Sequence, residues 1–90
     1  PFLIYYYESI KSVISMVVPL SCLTPGQEGS VVWIAAEPDH ERRLAEIGFT
    51  PGSSVLCLMK GPKGSMSAYL AGGSVFGLRE RDAQVVLVKV

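Results

Sequence analysis

The chain has 90 residues, of which 49% are hydrophobic and 18% charged, and its eight basic and eight acidic side chains give a formal net charge of zero. This length predicts one small domain, and the high apolar fraction excludes an intrinsically disordered chain. Because no basic excess is present to neutralise phosphates or to attract anionic lipid, we expect no nucleic-acid partner and no binding to a lipid surface.

Residues 1–19 are predicted to form an N-terminal extension, and residues 20–90 the domain itself. Glu8 and Lys11 interrupt the apolar run of the extension, so we expect no direct insertion into a membrane. The apolar residues recur at helical spacing, which predicts an amphipathic helix that docks on the domain or mediates self-association, leaving a homo-oligomer open. The residues at this spacing are Ile10, Val13, Ile14 and Val17.

Two Pro-Gly turns come next, at 24–27 and 50–53. Proline presets the first central φ of a type II turn, and glycine supplies the positive φ that follows. Each turn precedes a β-branched run, at 30–34 and 54–59, and we interpret both runs as strands.

A short helix is predicted between these two strands. Asp39 is the expected N-cap, and Pro38 and Pro51 bracket the helix because proline cannot sit in its interior. Gly48 suits the left-handed residue just beyond the helix end, which would place Phe49 against the last turn.

The rest of the chain is predicted to be a loop, a hairpin and a last strand, so the count is five short strands with one helix between the first two. Such a sheet buries a core only when it curls, which favours a small, partly open SH3-like barrel. An OB-type barrel also has five strands and one helix, but its helix usually lies later in the chain. The remaining predicted segments are a loop at 60–64, strands at 66–71, 74–78 and 85–90, and turns at 72–73 and 78–82.

No enzyme signature is present, because no nucleophile, base and orienting group can be assembled from the sequence and no phosphate-binding loop motif occurs. Cys22 and Cys57 are expected to be reduced, with at least one of them in the core. A metal site built from both cysteines and His40 is conceivable, but their spacing does not demand one. We therefore expect no resident cofactor or metal, with His40 and Cys22 as the weak candidates for an adventitious divalent metal.

The surface is the remaining place for function. Arginine is enriched at protein interfaces, although Arg42 has the simpler interpretation of an ion pair with Glu46 one helical turn later. Trp33 is expected in the core; an exposed Trp33, Tyr69 or Phe76 would instead indicate an aromatic groove for peptides. The candidate partner-binding residues are Arg42, Arg43, Lys60, Lys63 and Tyr69.

Three motifs, taken together, resemble the FeoA family of bacterial ferrous-iron uptake. They are Leu-Ser-Cys-Leu-Thr-Pro-Gly-Gln-Glu-Gly at 20–29, Arg-Arg-Leu-Ala-Glu-Ile-Gly-Phe-Thr-Pro-Gly at 42–52, and Val-Phe-Gly-Leu-Arg at 75–79 followed by Asp-Ala at 82–83. Gly77 stands where the family more often has alanine, and the extension has no counterpart in the family pattern. The resemblance extends to the C-terminal SH3-like domain of repressors related to the diphtheria toxin repressor.

The resemblance implies a non-enzymatic cytoplasmic accessory protein that contacts the membrane transporter FeoB, at the inner face of the membrane through that partner. Two alternatives stay open. One is a regulatory or peptide-binding module related to the repressor domains, and the other is a metal-binding protein.

Overall fold

The computed structural model describes residues 16–90, which form one antiparallel sheet of six strands in the order β1-β6-β2-β3-β4-β5. A 3-10 turn at Leu20–Cys22 follows the first strand, and the two α-helices are α1 (Pro38–Glu46) and α2 (Glu80–Ala83). The strands are β1 (Val17–Pro19), β2 (Glu28–Ile34), β3 (Ser54–Met59), β4 (Met66–Ala71), β5 (Ser74–Arg79) and β6 (Val86–Lys89).

The sheet curls around one hydrophobic core, to which α1 contributes Leu44 and the partly buried Ile47. The outermost strands β1 and β5 are not paired with each other. Instead α2 contacts both β5 and the 3-10 turn after β1, so it bridges the two edges. The buried core residues are Leu20, Leu23, Val31, Ile34, Leu44, Phe49, Val55, Cys57, Tyr69, Ala71, Leu78, Ala83, Val86 and Val88.

The sixth strand corrects the predicted count of five. Val17–Pro19 were assigned to a helical extension, but they pair antiparallel with β6, and Val18 packs against the core. Proline is tolerated there because an edge strand has one side without ladder hydrogen bonds. The helix α1 therefore lies between the second and third strands rather than the first two. The rest of the predicted extension, residues 1–15, lies outside the described residues.

The start of α1 differs from the prediction. Glu37 is the N-cap residue and makes no side-chain capping bond, and Pro38 occupies the first helical turn. Proline is accommodated there because a first-turn N–H has no acceptor within the helix. Asp39, the predicted cap, lies inside the first turn and accepts a hydrogen bond from Arg42.

The end of α1 is the predicted Schellman ending. Gly48 has a φ of 103°, which glycine adopts at little cost. The Gly48 N–H donates to the Ala45 carbonyl at 3.0 Å, and the Phe49 N–H donates to the Leu44 carbonyl at 3.0 Å. Phe49 is fully buried, so the local turn also delivers the largest core residue near α1.

Two β-bulges change which side chains face inward. The β2–β6 register shifts between Val31 and Trp33, and the β3–β4 register shifts between Cys57 and Met59. In each strand the residue before the bulge is buried and the residue after it faces solvent. An extra residue in the strand inverts the alternation of the two faces, so Trp33 points outward while Ile34 points inward.

Two glycines provide a test of the packing around β4. A Cβ at Gly61 would overlap the Met66 carbonyl oxygen and the Ser65 hydroxyl, whereas a Cβ at Gly77 would approach only the flexible end of Met66, at 2.7 Å. We predict that Gly61→Ala lowers the free energy of unfolding by about 1–3 kcal/mol. The matched variant Gly77→Ala should change it by less than about 1 kcal/mol. Urea denaturation measures both, and equal effects would contradict the packing described.

Candidate interaction surface

Helices α1 and α2 are joined by a side-chain pair that links distant parts of the sequence. His40 Nε2 lies 2.8 Å from Asp82 Oδ1, and the two side chains are 27% and 29% exposed. The residues are 42 positions apart. Because the bond connects the first turn of α1 to the single turn of α2, it fixes the relative position of the two helices.

A hollow of about 300 Å³ lies beside this pair, and we call it the α1–α2 hollow. Its two arginines, Arg43 and Arg81, are exposed. Within residues 16–90 the ion pairs are His40–Asp82 and Arg42–Asp39, so neither hollow arginine has a carboxylate within 4.0 Å there. The hollow is lined by His40, Arg43, Leu44, Ile47, Leu78, Arg81 and Asp82.

Arg42 points elsewhere and pairs within its own helix. Its guanidinium lies 2.9 Å from Asp39, and the two side chains are 68% and 83% exposed. The predicted pair with Glu46 is not the one that forms. An ion pair this exposed contributes little stability, because water and salt screen it.

The two candidate lysines differ in what they contact. Lys60 Nζ donates to the Ser21 carbonyl oxygen, which ties the loop after β3 to the 3-10 turn. Lys63 is exposed at the tip of the same loop. The loop is further held by the Gly64 N–H, which donates to the Glu80 carboxylate at 2.7 Å. Lys60 therefore has a structural contact, and Lys63 is the more accessible charge.

Tyr69 corrects the set of predicted partner-binding residues, because it is only 1% exposed. It lies on the inward face of β4, directly opposite Cys57 on β3. Burial raises the pKa of the Tyr69 hydroxyl, and a negative charge on Cys57 would raise it further. Burial also raises the pKa of the Cys57 thiol, against a smaller lowering by the charge of Lys60.

Trp33 is the second correction, because it was expected in the core and is 62% exposed. It lines a shallow groove of about 680 Å³ between the end of β2 and the start of α1, and among residues 16–90 no other Phe, Tyr or Trp lines that groove. Phe76 is half-buried and packs edge-to-face on Phe49, with ring centroids 6.1 Å apart. The predicted aromatic groove is thus reduced to one aromatic side chain.

The candidate metal ligands do not form a cluster. Cys57 is buried, Cys22 is exposed, and His40 is bonded to Asp82. In the part of the chain that the structure describes, no three His, Cys, Asp or Glu residues converge on a position for a metal ion. Among the same residues, no helix has the length and apolar character needed to cross a membrane.

Sequence reasoning missed both Arg81 and the His40–Asp82 bond. The segment containing Arg81 and Asp82 was interpreted only as a polar turn, which gave no reason to connect it with α1. No local pattern signals a bond between residues so far apart. The sequence offered one indirect indication. His40 lies one helical turn before Leu44, and Asp82 is next to Ala83, and both of these apolar residues pack into the same core.

Comparison with known proteins gives a family match over most of the chain. A family model described as the FeoA domain matches residues 18–90. A crystal structure of the iron uptake regulatory protein FeoA is 35% identical, with a TM-score of 0.76 over 82% of this chain and 97% of that one. FeoA of Stenotrophomonas maltophilia, solved in complex with zinc and described as an SH3 domain protein, is 30% identical, with a TM-score of 0.67 over 83% and 88%.

A manganese-dependent transcriptional repressor shares the fold. It has a TM-score of 0.76 at 23% identity, over 84% of this chain and 42% of the repressor. No curated protein sequence matches the chain. The solved structures agree with the SH3-like fold that the sequence predicted.

The His40–Asp82 bond should stabilise the fold more than the exposed pair on the same helix. We predict a coupling energy of about 0.5–1 kcal/mol from a double-mutant cycle of His40→Ala and Asp82→Ala, because both side chains are largely shielded from water. The matched cycle of Arg42→Ala and Asp39→Ala should give less than about 0.5 kcal/mol. Urea denaturation of the variants measures both energies, and a larger coupling in the exposed pair would contradict the assignment.

The buried Tyr69 and Cys57 predict a loss of stability in alkali. Both groups are neutral when protonated, and both have a raised pKa in the folded protein, so the unfolded chain ionises first. Their contribution is fully present well below about pH 8.5, the pKa of an unfolded cysteine thiol, and is lost as the pH rises through the folded pKa values. Denaturation curves from pH 7 to 11 should show this fall, and Tyr69→Phe should make it shallower. An unchanged slope in Tyr69→Phe would exclude that residue as a source.

Proposed function

Because the chain belongs to the FeoA domain family, we propose that it is a non-enzymatic accessory protein of ferrous iron uptake. In this proposal it acts in the cytoplasm by contacting a FeoB-like membrane transporter. Iron is the cargo of that transporter and is not held by this domain. The proposal rests on the family and on a surface suited to another protein.

The α1–α2 hollow is the part of the surface that we assign to this contact. Its supporting observation is that Arg43 and Arg81 both line the hollow, are exposed, and have no carboxylate within 4.0 Å among the described residues. A guanidinium presents its donors in a planar fork that matches a carboxylate, so the complementary partner surface is acidic. The His40–Asp82 bond holds the two helices in place, so less conformational freedom is lost when a partner binds.

Catalysis has no support in the residues around His40. A general base needs a nucleophile within hydrogen-bond reach and a group that orients it. The Nε2 of His40 is already bonded to Asp82, and that pair joins two helices. Among residues 16–90, His40 also does not belong to any group of three His, Cys, Asp or Glu side chains that could hold a metal ion.

Peptide recognition through an aromatic groove has less support than transporter contact. Grooves that bind proline-rich segments are lined with several aromatic side chains. In the part of the chain that the structure describes, Trp33 is the only aromatic side chain on this groove, because Tyr69 is buried and Phe76 packs on Phe49.

Charge reversal at the hollow tests the proposal. We predict that Arg43→Glu weakens binding to the transporter by about tenfold or more, because a like charge would face the acidic partner. Calorimetry or a pull-down with both the intact transporter and its soluble cytoplasmic domain measures the affinity. Arg81→Glu should act in the same direction.

The matched control is Lys63→Glu, an equal charge change on the exposed loop after β3. It should leave the affinity nearly unchanged. If Lys63→Glu weakens binding and Arg43→Glu does not, the interface lies on that loop and the hollow is the wrong surface. If the unaltered protein binds neither form of the transporter, the proposed function itself is wrong.

A further inference from the structure

We propose that the free edge of strand β5 pairs with the same edge of a second copy, which joins the two sheets into one and makes the protein a two-fold symmetric dimer. The interaction surface is the strand edge at residues 74–79. Arg43 and Arg81 of the α1–α2 hollow are not part of it, and the proposal does not depend on the transporter contact.

Strand β5 is an outermost strand of the sheet, and no described strand pairs with its outer edge. Its register with β4 is regular from the pair Ala71–Ser74 to the pair Met66–Arg79, without a bulge. The strand contains neither proline nor lysine, and its charge is at its last residue. Proteins protect an exposed edge with such residues, with a bulge or with a very short strand. Because β5 has none of these features, its edge is open to pairing.

The hairpin turn between β4 and β5 determines which backbone groups face that edge. Gly72 and Gly73 have φ angles of 59° and 80°, and two positive angles in succession are typical of a type I′ turn. The residues that flank a two-residue turn are hydrogen-bonded to each other, so Ala71 and Ser74 form a bonded pair. Bonded and non-bonded pairs then alternate along the ladder.

The alternation reaches the end of the strand, because the Glu80 N–H donates to the Ser65 carbonyl at 3.2 Å. The even-numbered residues therefore bond to β4, and Val75, Gly77 and Arg79 direct their N–H and C=O groups away from it. All three are exposed. Outside the strand ladders, no hydrogen bond among residues 16–90 reaches any of them. The single turn of α2 after the strand thus leaves these groups without a partner in the described chain.

The edge of β5 is complementary to itself. When two copies pair antiparallel about an axis beside Gly77, that glycine faces its own copy and Val75 faces the Arg79 of the second copy. Every outward N–H and C=O group then has a partner. A register centred on Phe76 or Leu78 would leave at least one outward residue of each copy unpaired.

The side chains fit this register. On the outer face the exposed Val75 would lie beside the aliphatic part of Arg79 from the second copy, next to the exposed Met66. On the inner face Phe76, which packs against the core but is only half-buried, would lie opposite Leu78 of the second copy. Glycine on the axis means that no like charges face each other there.

The hairpin turn leaves room for the pairing. In this register the Gly72–Gly73 turn of one copy comes level with α2 of the other. Both turn residues lack a side chain, and a Cβ built on either has no other residue within 4 Å. The formal net charge of zero also means that two copies are not driven apart by their overall charge.

The other outermost strand is less suited to pairing. Strand β1 has three residues, and one of them is Pro19, which has no N–H to donate. Residues 1–15, which lie outside the described residues, are also attached beside it through Met16. Of the two edges of the sheet, β5 is therefore the one that fits a second copy.

Hydrogen exchange in the full chain tests the proposal. The amides of Val75, Gly77 and Arg79 should be protected at millimolar protein and lose that protection on dilution to the micromolar range, because only the dimer pairs them. The amides of Phe76 and Leu78 are the internal control, since they bond to β4 and should stay protected at both concentrations. Sedimentation equilibrium over the same range should show the dimer dissociating.

Two charge variants at position 75 test the register. Val75→Lys would face the Arg79 of the second copy with a like charge, twice in the symmetric dimer, whereas Val75→Glu would face it with an opposite charge. Both variants lose the valine, so we expect the dimer Kd of Val75→Lys to exceed that of Val75→Glu by about threefold or more. Added salt should reduce this difference.

A backbone variant tests the hydrogen bonds themselves. Val75→Pro removes an outward N–H from each copy, and an edge strand tolerates proline. It should raise the dimer Kd by about tenfold or more. Circular dichroism and urea denaturation establish that each variant is folded, and the two charge variants decide the matter if Val75→Pro does not fold.

Three results would overturn the proposal. One is a monomer at every concentration, with the amides of Val75, Gly77 and Arg79 exchanging rapidly. Another is protection of these amides that does not change on dilution, which would mean that residues of the same chain, such as 1–15, cover the edge. The third is a dimer with the same Kd in all three variants, which would place the contact on another surface.

Discussion

The structure depends on one constraint, which is that a single layer of six short strands must enclose a core in a small domain. A flat sheet of this size would leave one of its faces in water. The strands bend instead, at bulges after Val31 in β2 and after Cys57 in β3. Where the ladder stays open, α2 and the 3-10 turn close the gap between β5 and β1. The bends that enclose the core also decide which large side chains remain outside.

The parts of the fold that the sequence predicted are those determined by local backbone conformation. Gly48 ends α1 in the left-handed region, and Gly26 and Gly52 have the positive φ of their type II turns. Only glycine meets such a requirement at little cost, so its position in the sequence is direct information. Two backbone hydrogen bonds then connect these turns to strands. The Gly52 N–H donates to the Val31 carbonyl of β2, and the Gly26 N–H donates to the Cys57 carbonyl of β3.

The parts that the sequence did not predict depend on which strand lies beside which. Strict alternation from the buried Val31 would place Trp33 inside, and a bulge reverses that outcome. A bulge is a property of a strand pair, here β2 with β6, and those strands are separated by most of the chain. Tyr69 shows the same limit, because its burial follows from facing Cys57 across β3 and β4. The family was predicted from motif resemblance, and so was the proposed transporter partner; a motif resemblance says nothing about which surface is used.

Two of the exposed surfaces differ in their chemistry, and α1 lies between them. His40 lines both the α1–α2 hollow and the groove beside Trp33. On one side of it are two exposed arginines, and on the other is the exposed Trp33. A partner that bound both would need an acidic and an apolar patch in fixed relation. In the proposed contact with an acidic patch, charge complementarity between the two surfaces would determine recognition, although the formal net charge of the protein is zero.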